Sequence, residues 1–196
     1  IPLKPGDILR LRSSARLVSA EPEALAGGKK LILVWSVPPA FTVTAVVNLA
    51  DNSPISTWTM SVKNGRSPAP REDLMLFRVA FPLIEGLAVG GTHADDFLAR
   101  PFVQGQLIPD PARYSFYTPS NWAKRDNVLT YIGWATMPWQ DIYDRKGGLY
   151  LASYDPMFRQ IDLETFPEAS RDAVTMDIRT LAYTPPGETW TSQRFA

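Results

Sequence analysis

The sequence predicts an all-β protein, a large antiparallel β-sandwich with little helix. Short runs in which apolar and polar residues alternate recur along the chain, as expected of strands with one buried face. The 18 Pro and 12 Gly residues among 196 positions separate these runs with turn-forming residues. No window of about a dozen residues keeps the 3.6-residue period of a helix without Pro or Gly. The helical crossovers of a parallel sheet are therefore not expected.

The strands follow in order from the alternating apolar positions. These positions are Leu9 and Leu11; Phe41, Val43, Ala45 and Val47; Trp58, Met60 and Val62; Met75, Phe77, Val79 and Phe81; and Val174, Met176 and Ile178. Each strand is predicted to be half buried, with its polar side toward water. Asn64-Gly65 favours a turn. Glu21 to Leu25 is the best helix candidate, of one or two turns at most. Pro101 to Asn127 is predicted to be either a long ordered loop over a sheet or a boundary between two halves of the chain.

Composition and missing motifs exclude several classes of function. Twenty basic and twenty acidic residues give no net charge, so no basic field attracts nucleic acid. Without cysteine there is no disulfide, thiol nucleophile or Cys-ligated metal. No phosphate-binding glycine loop, nucleophile elbow or paired-histidine motif occurs. We therefore predict no cofactor, no metal and no catalytic residue in this chain.

One uncharged stretch has the length of a membrane span, but its pattern indicates strands. Leu31 to Ala50 carries no charge, and about twenty apolar residues can cross a bilayer. Pro38 and Pro39 lie in its middle and alternation follows them, which favours two strands around a turn. The sequence starts at Ile1 with no Met and no charged-then-apolar segment, so we expect that a signal peptide has either been removed or was never there. Localisation stays open from the sequence, with a secreted or periplasmic location favoured over others.

The single histidine, His93, follows two glycines and precedes Asp95 and Asp96. A lone histidine in such a loop is expected to be solvated. The alternative is that the imidazole and the adjacent carboxylates bind a cation or a sugar hydroxyl, and the sequence leaves that choice open.

Aromatic residues concentrate between positions 122 and 154. They are Trp122, Tyr131, Trp134, Trp139, Tyr143, Tyr150 and Tyr154. We expect most of them in the core, with one or two left for a surface where rings stack on sugars. Asp141, Asp144 and Asp155 lie in the same region. A glycosidase needs two carboxyl groups about 5 to 9.5 Å apart, but Asp144 and Asp155 are more typical of turns.

Several segments together resemble the N-terminal β-sandwich of a family of glycoside-hydrolase-like proteins, in which a supersandwich-like domain precedes a (β/α)8 barrel. The resemblance spans about Leu31 to Phe195 and is carried by Trp58 to Asn64, Val79 to Leu87, Asp95 to Pro101 with Gly105, Trp134 to Tyr143, and Gly147 to Pro156. One departure is the order Met137-Pro138-Trp139-Gln140, where the family has Met-Gln before the Trp.

The resemblance implies that residues 1 to 196 form one non-catalytic sandwich domain, with the catalytic barrel following Ala196 in a longer chain. Its partners would be that barrel and a carbohydrate, with no nucleic acid and no membrane. The residues predicted to line the glycan cleft are Trp134, Trp139, Asp141, Tyr154 and Asp155. The alternatives are a free-standing carbohydrate-binding module, a structural or adhesion sandwich, and an enzyme in its own right.

Overall fold

The computed structural model describes residues 15–67, 75–90, 92–114, 127–168 and 172–196. Within these ranges lie fourteen strands and one turn of 3-10 helix, His93–Asp95. The strands are β1 (Arg16–Leu25), β2 (Gly28–Val37), β3 (Phe41–Ala50), β4 (Ser56–Asn64), β5 (Leu76–Leu87), β6 (Phe97–Arg100), β7 (Gln106–Pro109), β8 (Val128–Tyr131), β9 (Trp139–Tyr143), β10 (Gly148–Tyr154), β11 (Ile161–Glu168), β12 (Ala173–Thr184), β13 (Thr189–Thr191) and β14 (Arg194–Phe195). The predicted all-β class is confirmed.

The strands belong to two antiparallel sheets, one of ten strands and one of four. The chain also divides into two compact units. The described residues of the first unit fall within Ile1–Val79 and Ala182–Arg194, and those of the second within Ala80–Leu181 and Phe195–Ala196. In the described part of the chain, no helix is long and apolar enough to cross a membrane.

The first unit is a meander in the order β1-β2-β3-β4, with β13 pairing on β4. Its core lies on the face predicted from the alternation, where Val43, Ala45, Met60 and Val62 are buried. The Ser192 hydroxyl accepts a hydrogen bond from the Met60 amide at 2.9 Å. Residues 31 to 50 form β2 and β3, so the uncharged stretch is a strand pair as predicted.

The second unit is a sandwich in which two layers face each other. One layer has the order β10-β9-β6-β7 and the other contains β12-β11-β8. Apolar side chains from both layers fill the space between them, and all are at most 2% exposed: Leu98, Ile108, Ile142, Leu151, Ile161, Leu163, Met176 and Ile178. Burial of such side chains is the main favourable contribution to a fold of this kind.

Gln140 on β9 connects the two layers through hydrogen bonds. Its Nε2 donates to the carbonyl oxygens of Glu164 at 3.2 Å and Asp177 at 3.3 Å. Its Oε1 accepts from the Thr165 hydroxyl at 2.9 Å. The side chain is 1% exposed, so a polar group in the centre of the sandwich has a partner for both ends of its amide.

Three expectations from the sequence are wrong. Glu21 to Leu25 is part of β1, paired with β2, because β-sheet pairing overrides its weak helical pattern. Asn64 is fully buried at the end of β4 and donates to the Thr184 carbonyl, while the Gly65 amide donates to Ala40, so this pair does not form the tight turn of a hairpin.

The third concerns β12, which is buried on both faces. Val174, Met176 and Ile178 are buried as predicted, but Asp177 on the opposite face is 1% exposed rather than solvated. Arg179 lies 2.7 Å from Glu164 and 3.4 Å from Asp177. Charge pairing therefore allows the acidic side of this strand to be buried.

One further expectation falls only partly within the described residues, and two lie wholly outside them. The segment from Pro101 to Asn127 begins with an isolated bridge and β7, and 115–126 lies outside the described residues. The strand expected at Leu9 and Leu11 and the aromatic Trp122 also lie outside them.

Candidate functional site

The outer face of the β10-β9-β6-β7 layer carries an unusual set of aromatic side chains. Residues 139, 141 and 143 on β9 point away from the sandwich interior, because Gln140 and Ile142 between them point into it. Tyr150 on β10 is directly opposite Asp141, and Ala152 is opposite Trp139. The rings of Trp139 and Tyr150 lie 6.0 Å apart with an interplanar angle of 32°. We call Trp139, Asp141, Tyr143 and Tyr150 the outer aromatic face.

Asp141 is the acid within this face. It pairs across the sheet with Ala99 on one side and Tyr150 on the other. Burial raises the pKa of its carboxyl group above the ordinary value, because the charged form loses solvation among aromatic neighbours. Its Oδ1 is buried and has no hydrogen-bond partner among the described residues.

Tyr154, at the end of β10, extends the same arrangement. It alternates to the same side of β10 as Tyr150, and 42% of its surface is exposed. Burial raises the pKa of the Tyr150 hydroxyl first, and the hydrogen bond and charge of Tyr154 raise it further. The Tyr150 hydroxyl group therefore lies close to both Tyr154 and Asp141.

A pocket of about 420 Å³ opens beside Trp139. It lies between the turn that connects β6 to β7 and the segment that precedes β9. Its apolar lining includes Ala99, Val103, Leu107, Met137 and Trp139, and its neutral polar lining includes Gln104, Gln106 and Thr136. Ala99 and Leu107 are paired across β6 and β7, in the same cross-strand row as Asp141 and Tyr150. The pocket therefore adjoins the outer aromatic face.

The two walls of the pocket are joined by backbone hydrogen bonds. The Val103 amide donates to the Trp134 carbonyl, and the Thr136 amide donates to the Pro101 carbonyl, each at 2.9 Å. Phe102 and Ala135 form an isolated antiparallel bridge. The Gly105 amide closes the turn on the Phe102 carbonyl at 2.8 Å. These bonds fix the shape of the pocket in the absence of a ligand.

Trp134 stands on this joined pair of segments rather than in the core. It is 66% exposed, and its ring packs on Phe102 with the centroids 5.9 Å apart. Ile132, Val103 and Met137 in the same segments are also exposed. Trp134 is thus an accessible ring at the rim of the segments that form the pocket walls.

Asp155 has a different role from the other predicted site residues. Its carboxylate accepts hydrogen bonds from the amides of Met157 and Arg159 at 3.0 Å each and pairs with the Arg159 guanidinium at 2.8 Å. It therefore organises the turn after β10, as an aspartate before proline often does. Asp144 acts similarly in the β9–β10 hairpin, where it accepts from the amides of Lys146 and Gly147. The expectation that both are turn residues is confirmed.

The Asp155 turn predicts a pH dependence of stability. The Arg159 hydrogen bond holds the pKa of Asp155 below its usual value, so its contribution is present above the unfolded-state pKa and is lost as the pH falls through the folded-state pKa. We expect Asp155→Ala to lower the melting temperature at pH 7 and to change it much less near pH 3. Thermal melts of both proteins across pH 3 to 7 test this. An equal difference at every pH would contradict it.

Two expectations about the aromatic residues and His93 are wrong. Among the six described aromatic residues from 131 to 154, none is fully buried, and Trp134, Tyr150 and Tyr154 are exposed. The core is instead filled mainly by aliphatic residues, with Phe195 as a fully buried aromatic side chain. His93 is 5% exposed rather than solvated. Its Nδ1 lies 3.0 Å from Asp110 Oδ1 and its Nε2 lies 3.2 Å from Asp172 Oδ1.

Of the five predicted site residues, Trp139, Asp141 and Tyr154 lie on one side of the sheet. Trp134 lies at the rim of the pocket walls, and Asp155 stabilises the turn after β10. Sequence reasoning missed the importance of Tyr150 and the polar lining from β6–β7. Tyr150 could have been found from hairpin register, since it pairs with Asp141. In the described part of the chain, no group of three or more His, Asp or Glu side chains could hold a metal ion.

Comparison with known proteins gives similarity at the level of structure. The chain resembles the ligand-free structure of the alpha-N-acetylgalactosaminidase NagBb from Bifidobacterium bifidum, with a TM-score of 0.50 at 12% sequence identity. The match covers 94% of this chain and 27% of that chain, so this chain spans about a quarter of its neighbour's length. No protein-family model and no curated protein matches the sequence. At this identity, the similarity concerns the fold alone.

Proposed function

We propose that this chain is a non-catalytic β-sandwich domain of a carbohydrate-active enzyme, which supports a catalytic barrel and lines the glycan-binding cleft with its outer aromatic face. The observation that carries the proposal is the shared outward position of Trp139, Asp141 and Tyr150 beside an open pocket. Aromatic rings stack on the apolar faces of sugars, and a carboxylate accepts hydrogen bonds from sugar hydroxyl groups. The similarity in fold to a glycosidase chain supports the same class.

Two acidic side chains of the second unit are paired with arginine, and this favours a binding role over catalysis. Hydrolysis of a glycosidic bond by the common mechanisms uses two carboxyl groups about 5 to 9.5 Å apart. Asp141 lies on the outer aromatic face, whereas Asp155 pairs with Arg159 and Glu164 pairs with Arg179. A single carboxyl group next to stacked rings is suited to hold a sugar in place.

The experiment uses the complete gene product that contains this chain. Its coding sequence is first read beyond Ala196, where we expect a frame with alternating strands and helices. In the enzyme, Trp139→Ala should raise KM about tenfold with little change in kcat, since lost ring stacking of about 1.4 kcal/mol is uniform binding energy.

The matched control is Trp58→Ala, which removes another half-buried indole, in the first unit. It should leave KM unchanged even if it lowers the melting temperature. A Trp139→Ala enzyme with an unchanged KM and only a lower melting temperature would contradict the proposal. A gene product that ends at Ala196 would also contradict it and would favour a free-standing binding module.

A further inference from the structure

We infer that the pocket beside Trp139 is a subsite for one uncharged pyranose ring. The inference rests on the proposed carbohydrate function and adds the position, size and chemistry of a single subsite. Its walls are the β6–β7 turn and the segment from Thr136 to Trp139. In this subsite the apolar face of the ring lies on the indole, and hydroxyl groups meet amide and hydroxyl side chains.

The Trp139 indole is held in position before any ligand arrives. It lies on a central strand of its layer, between β10 and β6, and its ring packs against Tyr150 at 6.0 Å. A ring that is already fixed loses little conformational entropy on binding, so the entropic cost of binding is small. An indole at the wall of an open pocket provides one flat apolar surface for a sugar ring.

The polar lining has the chemistry of a site for neutral hydroxyl groups. Gln104, Gln106 and Thr136 carry amide or hydroxyl groups, which both donate and accept hydrogen bonds, as sugar hydroxyls do. Arg100 Nε donates to Gln106 Oε1 at 2.7 Å and fixes the orientation of that amide. Arg100 also lines the pocket, but the whole residue is only 4% exposed and its guanidinium group is bound to the Gln106 amide. The accessible polar lining is therefore mainly neutral, which favours an uncharged polyol over an anion.

The size of the pocket is right for a small ligand. Its volume of about 420 Å³ lies near the lower end of the range of about 300 to 1,000 Å³ that small-molecule pockets span. A small side chain, Ala99, lies at the position between Leu107 and Asp141 in the cross-strand row. This small side chain leaves space beside the indole, and both Ala99 and Trp139 line the pocket.

Backbone strain in the pocket wall points to the same region. Val103 has a φ of 52°, a left-handed conformation that is a clear outlier for a β-branched residue. The hydrogen bond from the Val103 amide to the Trp134 carbonyl holds this residue in that conformation. Strained backbone persists where the surrounding structure enforces it, and it occurs preferentially at ligand sites. The wall is therefore held open by specific contacts at a cost in stability.

The test is saturation-transfer NMR of the 196-residue chain with four uncharged probes: the methyl α-pyranosides of galactose, N-acetylgalactosamine, glucose and mannose. At least one should bind with a dissociation constant in the millimolar range, and Trp139→Ala should weaken it about tenfold, as expected for the loss of one stacking surface. Ala99→Leu is the second variant. It keeps the indole and fills the space beside it, and should weaken the same probe at an unchanged melting temperature.

Trp58→Ala is the matched control and should bind the probe like the wild type. No signal from any probe, or equal binding by wild type and Ala99→Leu, would overturn the subsite. Failure here is separable from failure of the proposed function. If no probe binds but Trp139→Ala raises KM in the complete enzyme, the subsite is wrong and the cleft role stands. If a probe binds and KM is unaffected, the subsite stands and the cleft role is wrong.

Discussion

Gln140→Leu is expected to lower the free energy of unfolding by about 3 kcal/mol, since each lost hydrogen bond of a buried group costs about 1 kcal/mol or more. Leucine has a similar volume but offers neither donor nor acceptor. The substitution removes the side-chain amide of Gln140. The carbonyl oxygens of Glu164 and Asp177 then lose a donor, and the Thr165 hydroxyl loses its acceptor. All these atoms lie between the layers of the second unit, where water does not replace the lost partners.

Equilibrium denaturation with urea measures this change, with Gln160→Leu as the matched control. Gln160 is exposed, so the same substitution there should change stability by no more than about 0.5 kcal/mol. The denaturant slopes of the two variants should agree with that of the wild type, because the area exposed on unfolding is similar. Equal stability of Gln140→Leu and the wild type would mean that the amide contributes no more than a leucine side chain.

The period-2 pattern predicts much of this fold because burial of alternate residues depends only on neighbours in sequence. On β3, Phe41, Val43 and Ala45 are buried as the alternation indicates, and Thr42 is exposed. The same holds for one face of β12. What the pattern cannot show is whether the second face of a strand is also covered, since that depends on segments far along the chain.

On β9, the sequence pattern does not identify which of the two faces is buried. On β9 the large aromatic residues occupy the outer face, and the face with Gln140 and Ile142 is buried. Ranking the two faces by apolar volume selects the wrong one as core. The correct choice depends on Thr165, which lies on another strand and accommodates the Gln140 amide. The prediction of Trp139 and Asp141 as site residues nevertheless placed both on one face, because they are two residues apart.

The pocket required information that no local pattern contains. Gln104 lies in the β6–β7 turn and Gln106 begins β7. Thr136 and Trp139 come from the chain about thirty positions later, and both groups line one cavity. The bonds that join these segments are between backbone atoms, such as Val103 to Trp134. Side-chain identity therefore gave little signal for this pairing, although Gly105, with a φ of 101°, marks the turn itself.

His93→Ala is expected to destabilise the protein by about 2 kcal/mol, because the buried imidazole makes two short side-chain contacts and each lost contact of a buried polar group costs about 1 kcal/mol or more. The imidazole joins three separate segments. Its two nitrogens face Asp110 and Asp172 at 3.0 and 3.2 Å, and Arg113 lies 3.5 Å from Asp172.

Removal of the ring removes both of these side-chain contacts at once, and the segments that carry Asp110 and Asp172 lose their common partner. Asp95→Asn is the control, because Asp95 is exposed in the same turn of 3-10 helix and should change stability by no more than about 0.5 kcal/mol. Urea denaturation of both variants at pH 6 measures the two changes in the free energy of unfolding. If His93→Ala unfolds at the same urea concentration as Asp95→Asn, the contacts of the buried imidazole do not stabilise the second unit.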